Sequence, residues 1–361
     1  MRSFEHAAAS RDLAEAVVVH AVFDTGREGW GECLPRPYVT GETLDGVVVD
    51  LEQVLWPALG GLDLGGPAGL AAIPRQAAGR CINSAACAVE LATIDAGADG
   101  TGGDVSGQAV RGRVCGVLGS ANPAKTLRRL RLMWWFGLRQ FKLKLGMGTA
   151  VDHENLRLVH QYLRRPLMAG KAVLRVDVNG GWTMDETPDR VAEMAAHNVK
   201  VVEQPVYCGA QQLVELAGRC RLPLMADESL LTPADARIMA ASRNIWFNVR
   251  ISKNGGITRA REIIRLAQER GVPVVVGAMV GESGLLSAAQ RRLLQAAFMH
   301  GDVMSVEGNY GRLLLKDDLT TRSPRFGYGG RLKPLKGPGL GVTMDPRKLQ
   351  QYAKLVKTLG C

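Results

Sequence analysis

The sequence lacks any apolar run long enough to cross a membrane. The longest candidate, residues 271–281, falls well short of the ~18 apolar residues that a membrane helix needs. The N-terminus has no apolar signal core, so we expect a cytoplasmic protein with no membrane partner. Aromatic residues are scarce, at 5% of 361 residues, but 46% of the chain is hydrophobic. That fraction excludes a disordered chain and is enough for a large buried core.

The cysteines lack any C-x-x-C pair. There are seven of them, an odd number at irregular spacing. This pattern argues against a disulfide framework and against a zinc site, and it favours a reducing compartment.

Acidic residues are sparse near the C-terminus. Residues 311–361 hold eleven Lys or Arg residues and three Asp residues, which accounts for most of the net charge of +10. A solvated basic face is the simpler interpretation. Because no aromatic-interleaved or helix-turn-helix pattern accompanies the charge, we expect no nucleic-acid partner. A positive field would instead help to attract a small anionic substrate.

Two patterns divide the chain. Residues 1–112 predict an N-terminal domain with a hairpin followed by helices. Residues 335–361 predict a tail that returns to that domain. The elements expected in these two regions are a strand over 16–23 with its return from Trp30, and helices over 44–56, 84–96 and 346–359.

Residues 113–334 alternate short apolar strands with longer helical segments. The predicted strands are 113–118, 139–145, 172–178, 199–203, 222–227, 245–251, 273–279 and 302–307. Eight such units indicate parallel strands joined by crossovers, and therefore a closed (β/α)8-type barrel of the α/β class. An open doubly wound sheet is the alternative, but no G-x-G-x-x-G motif follows the first strand.

Three successive strands each end in a carboxylate: Asp177, Glu203 and Asp227. In a barrel, such strand ends meet at one mouth, where three acids would repel one another. A hard divalent cation would compensate, and all-oxygen ligands favour Mg2+, with Mn2+ as a substitute. Solvated strand-end acids are the alternative for any one of them, but three on adjacent strands favour a metal site.

Two lysines precede these acids along the chain. Lys142 and Lys144 alternate on the second strand, so both lie on the same side of it. Nearby positive charge lowers the pKa of an ammonium group, and a neutral lysine can take a proton from a carbon acid. Lys144 is therefore predicted as the base, with Lys142 lowering its pKa and contacting the substrate carboxylate. A bound dication would stabilise the enolate that results.

These motifs resemble the enolase superfamily, in its muconate lactonizing (muconate cycloisomerase-like) subgroup. The resemblance rests on Lys142-Leu143-Lys144, the three carboxylates, residues 280–284 near strand seven and residues 338–342 near the C-terminus. It implies an Mg2+-dependent isomerase or lyase with an α+β capping domain, and a homo-oligomer. Within the resemblance, residues 34–42 correspond to the loop that reads the substrate. Arg36 and Tyr38 are the predicted substrate-binding residues of this loop, and Glu282, in the motif near strand seven, is a further predicted substrate-binding residue.

One departure from the family pattern bears on the reaction. Arg250 stands at the end of strand six, where the subgroup normally has a second acid/base lysine, and Lys253 takes the place of a non-catalytic lysine. Arginine keeps its proton, so we expect one-base chemistry: cycloisomerisation or β-elimination with Lys144 alone and Arg250 as a clamp. Dipeptide epimerisation or N-acylamino acid racemisation is the alternative, with Lys253 as second base. A non-catalytic carboxylate-binding barrel and a basic binding protein are alternatives of other classes. The resemblance places the first strand of the capping domain before Phe4, and we expect that strand to be largely absent.

Overall fold

The computed structural model describes residues 4–6, 9–11, 13–101, 103–298 and 303–360. Within these ranges, no helix has both the length and the apolar character to span a membrane. The strands of the described residues are β1 Phe4–His6, β2 Ala9–Arg11, β3 Val17–Val22, β4 Glu28–Cys33, β5 Gln76–Ala77, β6 Arg80–Cys81, β7 Gly116–Leu118, β8 Gln140–Lys144, β9 Val173–Asp177, β10 Val199–Glu203, β11 Leu224–Ala226, β12 Ile245–Val249, β13 Val274–Val276, β14 Ser305–Val306, β15 Phe326–Gly327 and β16 Arg331–Leu332.

The helices alternate with the strands in the second half of the chain. The α-helices of the described residues are α1 Pro37–Thr40, α2 Leu44–Asp50, α3 Trp56–Leu59, α4 Pro67–Ala72, α5 Asn83–Asp95, α6 Pro123–Trp135, α7 Thr149–Met168, α8 Thr187–Ala196, α9 Ala210–Gly218, α10 Pro233–Met239, α11 Ile251–Asn254, α12 Ile257–Arg270, α13 Gly284–Ala297 and α14 Pro346–Tyr352. A π-helical segment, Leu51–Leu55, joins α2 to α3, and 3-10 turns cover Gly311–Leu313 and Tyr328–Gly330.

Strands β7 to β14 form one eight-stranded parallel sheet in strict sequence order. A parallel bridge between Val114 and Val306 brings the two edges together, and Cys115 N donates to Val306 O at 2.7 Å. The predicted eight-stranded α/β barrel is therefore confirmed. Its first strand is shorter than predicted, and so is its last strand within the described residues; residue 302 of the predicted last strand lies outside them. On the side of the first strand that faces β8, Val114 N bonds to Gly330 O of the C-terminal region, and pairing with β8 begins only at Gly116.

Alternation along the strands separates two apolar layers. Side chains that point outward pack under the helices in the main core. Those that point inward form a small second cluster of Val201, Met225, Trp246 and Val275. Val201 and Glu203 share a side of β10, because successive strand residues face opposite ways. The inner cluster therefore forms an apolar floor, and the polar strand ends lie above it.

The predicted hairpin and the helix predicted over 84–96, which is α5, are confirmed in the N-terminal region. Strands β3 and β4 pair antiparallel, and β4 packs closely on α5. A Cβ atom added at Gly31 would overlap the Ala88 carbonyl oxygen of that helix, so the close approach requires glycine there. The helix predicted over 44–56 is in fact divided into α2, the π-segment and α3, and Pro57 lies in the first turn of α3. A proline is tolerated in that first turn because it has no N–H to donate.

The C-terminal segment contacts the N-terminal region. Leu340 N donates to Asp95 Oδ1 at 3.2 Å, and Lys357 pairs with Glu52 at 2.6 Å. The final helix, α14, ends at Tyr352 rather than at 359. The chain beyond it is mostly exposed, so it has no buried apolar face to stabilise further turns.

Candidate active site

The strand register places the predicted site residues at one level. Lys144 of β8 is the register partner of Asp177 of β9, and Asp177 is the partner of Glu203 of β10. Asp227 directly follows β11, the next strand around the sheet. The two lysines and three carboxylates therefore meet at the carboxyl end of the barrel, where the strand-end argument places them.

Lys142 lies between three acids. Its Nζ lies 3.2 Å from Asp177 Oδ2, 3.2 Å from Glu203 Oε1 and 2.7 Å from Glu307 Oε2. Burial acts to lower the pKa of Lys142, but the three carboxylates outweigh it and raise the pKa above its usual value. Lys142 is therefore a fixed positive charge in this arrangement.

Lys144 contacts fewer carboxylates than Lys142 among the described residues. Its Nζ donates to Asn179 Oδ1 at 2.8 Å and lies 3.2 Å from Asp177 Oδ2. Burial acts to raise the pKa of Asp177, but Lys144 and Lys142 hold it well below its usual value. Asp177 is therefore ionised, and it positions Lys144 at the mouth.

Glu307 and Arg175 belong to this cluster, although the sequence analysis did not single them out. Arg175 donates to Glu307 Oε1 at 2.7 Å and to Glu203 Oε2 at 3.4 Å. Burial acts to raise the pKa of Glu307, but Lys142 and Arg175 lower it to about 2. The sequence held a signal for both residues. Glu307 directly follows strand eight and so fits the strand-end rule that identified the other acids. Arg175 lies two residues before Asp177 and therefore on the same side of that strand, as Lys142 does relative to Lys144.

Asp227 is paired with two cations: Arg250, which directly follows β12, and Lys253, which lies in α11. The Arg250 guanidinium contacts its carboxylate directly. Lys253 Nζ donates to Asp227 Oδ1 at 3.0 Å, to Asp227 O at 2.6 Å and to Asn248 O at 2.8 Å. Lys253 is 0% exposed, and burial followed by the charge of Arg250 lowers its pKa well below the usual value.

The three carboxylates suit a hard cation in their chemistry. All their donor atoms are oxygens, and buried Asp177 Oδ2 and Asp227 Oδ2 accept no hydrogen bond of good geometry. As the side chains stand, however, Lys142 and Arg250 lie among them. No group of three His, Cys, Asp or Glu side chains within the described ranges is arranged to hold a metal ion.

A cavity of about 430 Å³ opens above the cluster. Lys142, Lys144 and Arg250 line it, and its acidic lining residues are Glu228, Glu282 and Glu307. Lys253 does not line the cavity, and neither do the three carboxylates predicted as metal ligands. The surface open to a small molecule therefore has Lys144 on one side and Arg250 four strands away in the eight-stranded sheet.

Comparison with known proteins agrees with this geometry. A family model described as Enolase C-terminal domain-like matches residues 125–348, more than half of the chain. The chain belongs to the enolase superfamily. Muconate cycloisomerase 1-2 of Acinetobacter lwoffii is 30% identical over 325 residues, covering 87% of this chain and 81% of that enzyme. The L-Ala-D/L-Glu epimerase of Bacillus subtilis (strain 168) is 29% identical over 345 residues, covering 91% and 89%. The crystal structure of 2-chloromuconate cycloisomerase from Rhodococcus opacus 1CP matches with a TM-score of 0.80 at 25% identity, covering 98% and 95%.

The resemblance to muconate cycloisomerase-like enzymes is thus confirmed, and the protein is an enzyme of this superfamily. Enolase-superfamily enzymes generally use Mg2+. The relatives include both cycloisomerases and epimerases, so membership alone leaves the reaction open.

The predicted substrate-reading residues of this superfamily member lie in different environments. Tyr38 lines the cavity, as does Glu282, whose Oε1 accepts a hydrogen bond from Met279 N at 2.6 Å. Burial raises the pKa of Glu282 to about 8. Arg36 is 1% exposed and donates to the carbonyl oxygens of Glu15, Pro35 and Val280 instead of lining the cavity. The hydrogen bond from Arg36 to Val280 therefore holds the loop of residues 34–42 against the barrel.

Proposed function

We propose that this protein is an Mg2+-dependent enzyme that removes the α-proton of a small anionic carboxylate, with Lys144 as the base. The observation that supports this most strongly is the position of Lys144. It lines the cavity and is held by Asn179 and Asp177. Lys142, beside it, is a second positive group for the substrate carboxylate.

Asp177, Glu203 and Asp227 are the residues we assign to Mg2+, with Mn2+ as a substitute. When bound there, the ion would supply positive charge that stabilises the enolate oxygen. Binding requires the Arg250 guanidinium to leave Asp227. The guanidinium would then move into the cavity, which Arg250 already lines.

Arg250 then acts as a clamp. A guanidinium keeps its proton and makes charge-assisted hydrogen bonds to carboxylate or enolate oxygens. In β-elimination, and in the lactone-opening direction of cycloisomerisation, which eliminates the ring oxygen, Lys144 alone takes the α-proton, and the electron pair of the broken C–H bond forms the enolate. In elimination, that pair becomes the new double bond as the leaving group departs with its own bonding electrons.

Two-base epimerisation is the second candidate. It is supported by relatives that are epimerases, such as the Bacillus subtilis enzyme. It needs a proton carrier on the face opposite Lys144. Lys253 would have to give up three hydrogen bonds and enter the cavity to serve.

The test is a substrate screen by proton NMR in D2O with Mg2+, over N-acylamino acids, dipeptides and lactones. We expect the α-hydrogen signal of at least one carboxylate to disappear, or its lactone or alkene to appear, only when the metal is present. The proposal fails if no carboxylate exchanges or reacts, or if exchange continues unchanged in EDTA.

A further inference from the structure

A second cavity, of about 410 Å³, lies apart from the one at the barrel mouth. The two cavities share no described lining residue. Four residues that line the second one carry a positive charge: Arg291, Arg322, Arg325 and Lys333. None of the described residues that line it is acidic. Three of the eleven cations of the basic C-terminal segment therefore meet Arg291 at one cavity, which we call the basic cavity.

Arg291, on α13, is the buried cation of this set. It is 1% exposed, and burial lowers its pKa to about 10. Its guanidinium pairs with no carboxylate of the described chain. It donates instead to the carbonyl oxygen of Lys333 and to Asn309 Oδ1, the latter at 2.8 Å. A buried charge is costly unless an opposite charge accompanies it, and an anion in the basic cavity would supply that charge.

Two polar groups of the cavity wall have no hydrogen-bond partner among the described residues. They are Arg291 Nε and Ser323 Oγ, and both atoms are buried. Ser323 lies behind the wall of the other cavity, because a Cβ atom built on Gly311 would be 3.5 Å from its Oγ atom. Buried polar groups are normally paired, so these two favour a ligand that accepts hydrogen bonds.

The neighbouring arginine of α13 shows the contrast. Arg292 is also buried, but all three of its nitrogens donate to the C-terminal segment. The acceptors are Leu335 O at 3.3 Å, Gly337 O at 2.5 Å and Gly339 O at 3.0 Å. Packing of that segment therefore accounts for the charge and the donors of Arg292, but not for those of Arg291.

The other three cations of the basic cavity are exposed, and no carboxylate of the described chain pairs with them. The acids closest to them in the sequence bond elsewhere. Asp317 pairs with Lys348, and Asp318 accepts from Gly284 N at 3.0 Å. The positive charge of the basic cavity is therefore not neutralised within the described chain.

We propose that the basic cavity binds a small di- or polyphosphate. Arg322 and Arg325 would bind phosphate oxygens through paired N–H groups, and Lys333 would add a further positive charge. The innermost phosphoryl group would lie against Arg291 and Ser323. A volume of about 410 Å³ is typical of small-molecule sites and admits more than one phosphoryl group. The site does not depend on the proposed function, because no residue assigned to that chemistry lines it.

The test is isothermal titration calorimetry of the full chain with inorganic pyrophosphate, and with inorganic phosphate for comparison. The buffer has low ionic strength and contains no divalent cation, because pyrophosphate itself binds such ions. We expect pyrophosphate to bind about tenfold more tightly than phosphate, with an affinity that falls as salt is added. The double variant Arg322→Gln/Arg325→Gln should weaken pyrophosphate binding by about tenfold or more.

The matched control is the double variant Arg331→Gln/Lys336→Gln. It removes the same charge from two exposed residues of the same segment that do not line the basic cavity, and we expect pyrophosphate affinity to stay within about twofold. Lys144→Gln tests the cavity at the barrel mouth and should leave the affinity unchanged.

The proposed site is wrong if pyrophosphate does not bind, or if it binds no more tightly than phosphate. It is also wrong if the control double variant weakens binding as much as Arg322→Gln/Arg325→Gln does. Loss of binding in Lys144→Gln, with binding retained in Arg322→Gln/Arg325→Gln, would place the anion at the barrel mouth and overturn the proposal.

Discussion

The Arg250 guanidinium lies against the Asp227 carboxylate, four strands away from Lys144 in the eight-stranded sheet. Four strands is half the circumference of a closed eight-stranded barrel, so the two side chains face each other across the mouth. Because arginine stays protonated, Arg250, opposite the proposed base Lys144, would supply charge and hydrogen bonds but no second base. This relationship supports the proposed one-base chemistry over epimerisation.

Replacing the base should separate proton transfer from metal binding. Lys144→Arg keeps the positive charge beside Asp177 but cannot deprotonate near neutral pH. We expect α-hydrogen exchange to fall by about 10³-fold or more, while Mn2+ still binds with similar affinity. Exchange is measured by NMR and Mn2+ binding by electron paramagnetic resonance. Retained exchange would place the base elsewhere.

Removing one carboxylate charge should remove the metal. Glu203 is fully buried between Lys142, Arg175 and Asn248, and Glu203→Gln keeps its shape. We expect Mn2+ affinity and α-hydrogen exchange to be lost together. Glu269→Gln is the control, because Glu269 is a surface residue of α12 that pairs with Arg265 at 2.9 Å. Full activity of Glu203→Gln, or of EDTA-treated enzyme, would contradict the metal assignment.

Glu282 should set an upper pH limit for substrate binding. Burial raises its pKa to about 8, so it is neutral below that pH and anionic above it. Once ionised, it would repel an anionic substrate in the same cavity. We expect kcat/KM to fall as the pH rises through about 8, and Glu282→Gln to retain its value to higher pH. An unchanged profile in Glu282→Gln would show that another group titrates.

The contact between β4 and α5 should be intolerant of a methyl group. Gly31→Ala would force the Ala88 carbonyl away, and we expect a loss of about 3 kcal/mol in the free energy of unfolding. Gly61→Ala is the control, because a Cβ atom there meets nothing within 4 Å. Urea unfolding of both variants provides the measurement. Equal stabilities would mean that the hairpin can move off the helix at little cost.

The sequence predicted most of the barrel because each strand has a strong local signal. Short apolar runs that alternate with helical segments define the strands, and their ends carry Asp177, Glu203 and Asp227. What could not be predicted depends on side-chain packing. Arg36 lies in the expected loop, yet its guanidinium bonds to carbonyls that are far apart in the sequence. The ion pair between Arg250 and Asp227, and the burial of Lys253, are likewise set by contacts between strands five and six. No local pattern encodes such contacts.

The central claim is one-base proton abstraction, and the stereochemistry of exchange tests it most directly. A single enantiomer of an accepted substrate is incubated in D2O with Mg2+, and deuterium uptake and chirality are followed together. One-base proton abstraction predicts deuterium uptake with retained configuration, or direct conversion of the substrate to a lactone or alkene. Rapid inversion that is abolished by Lys253→Ala and unaffected by Arg250→Lys would contradict it.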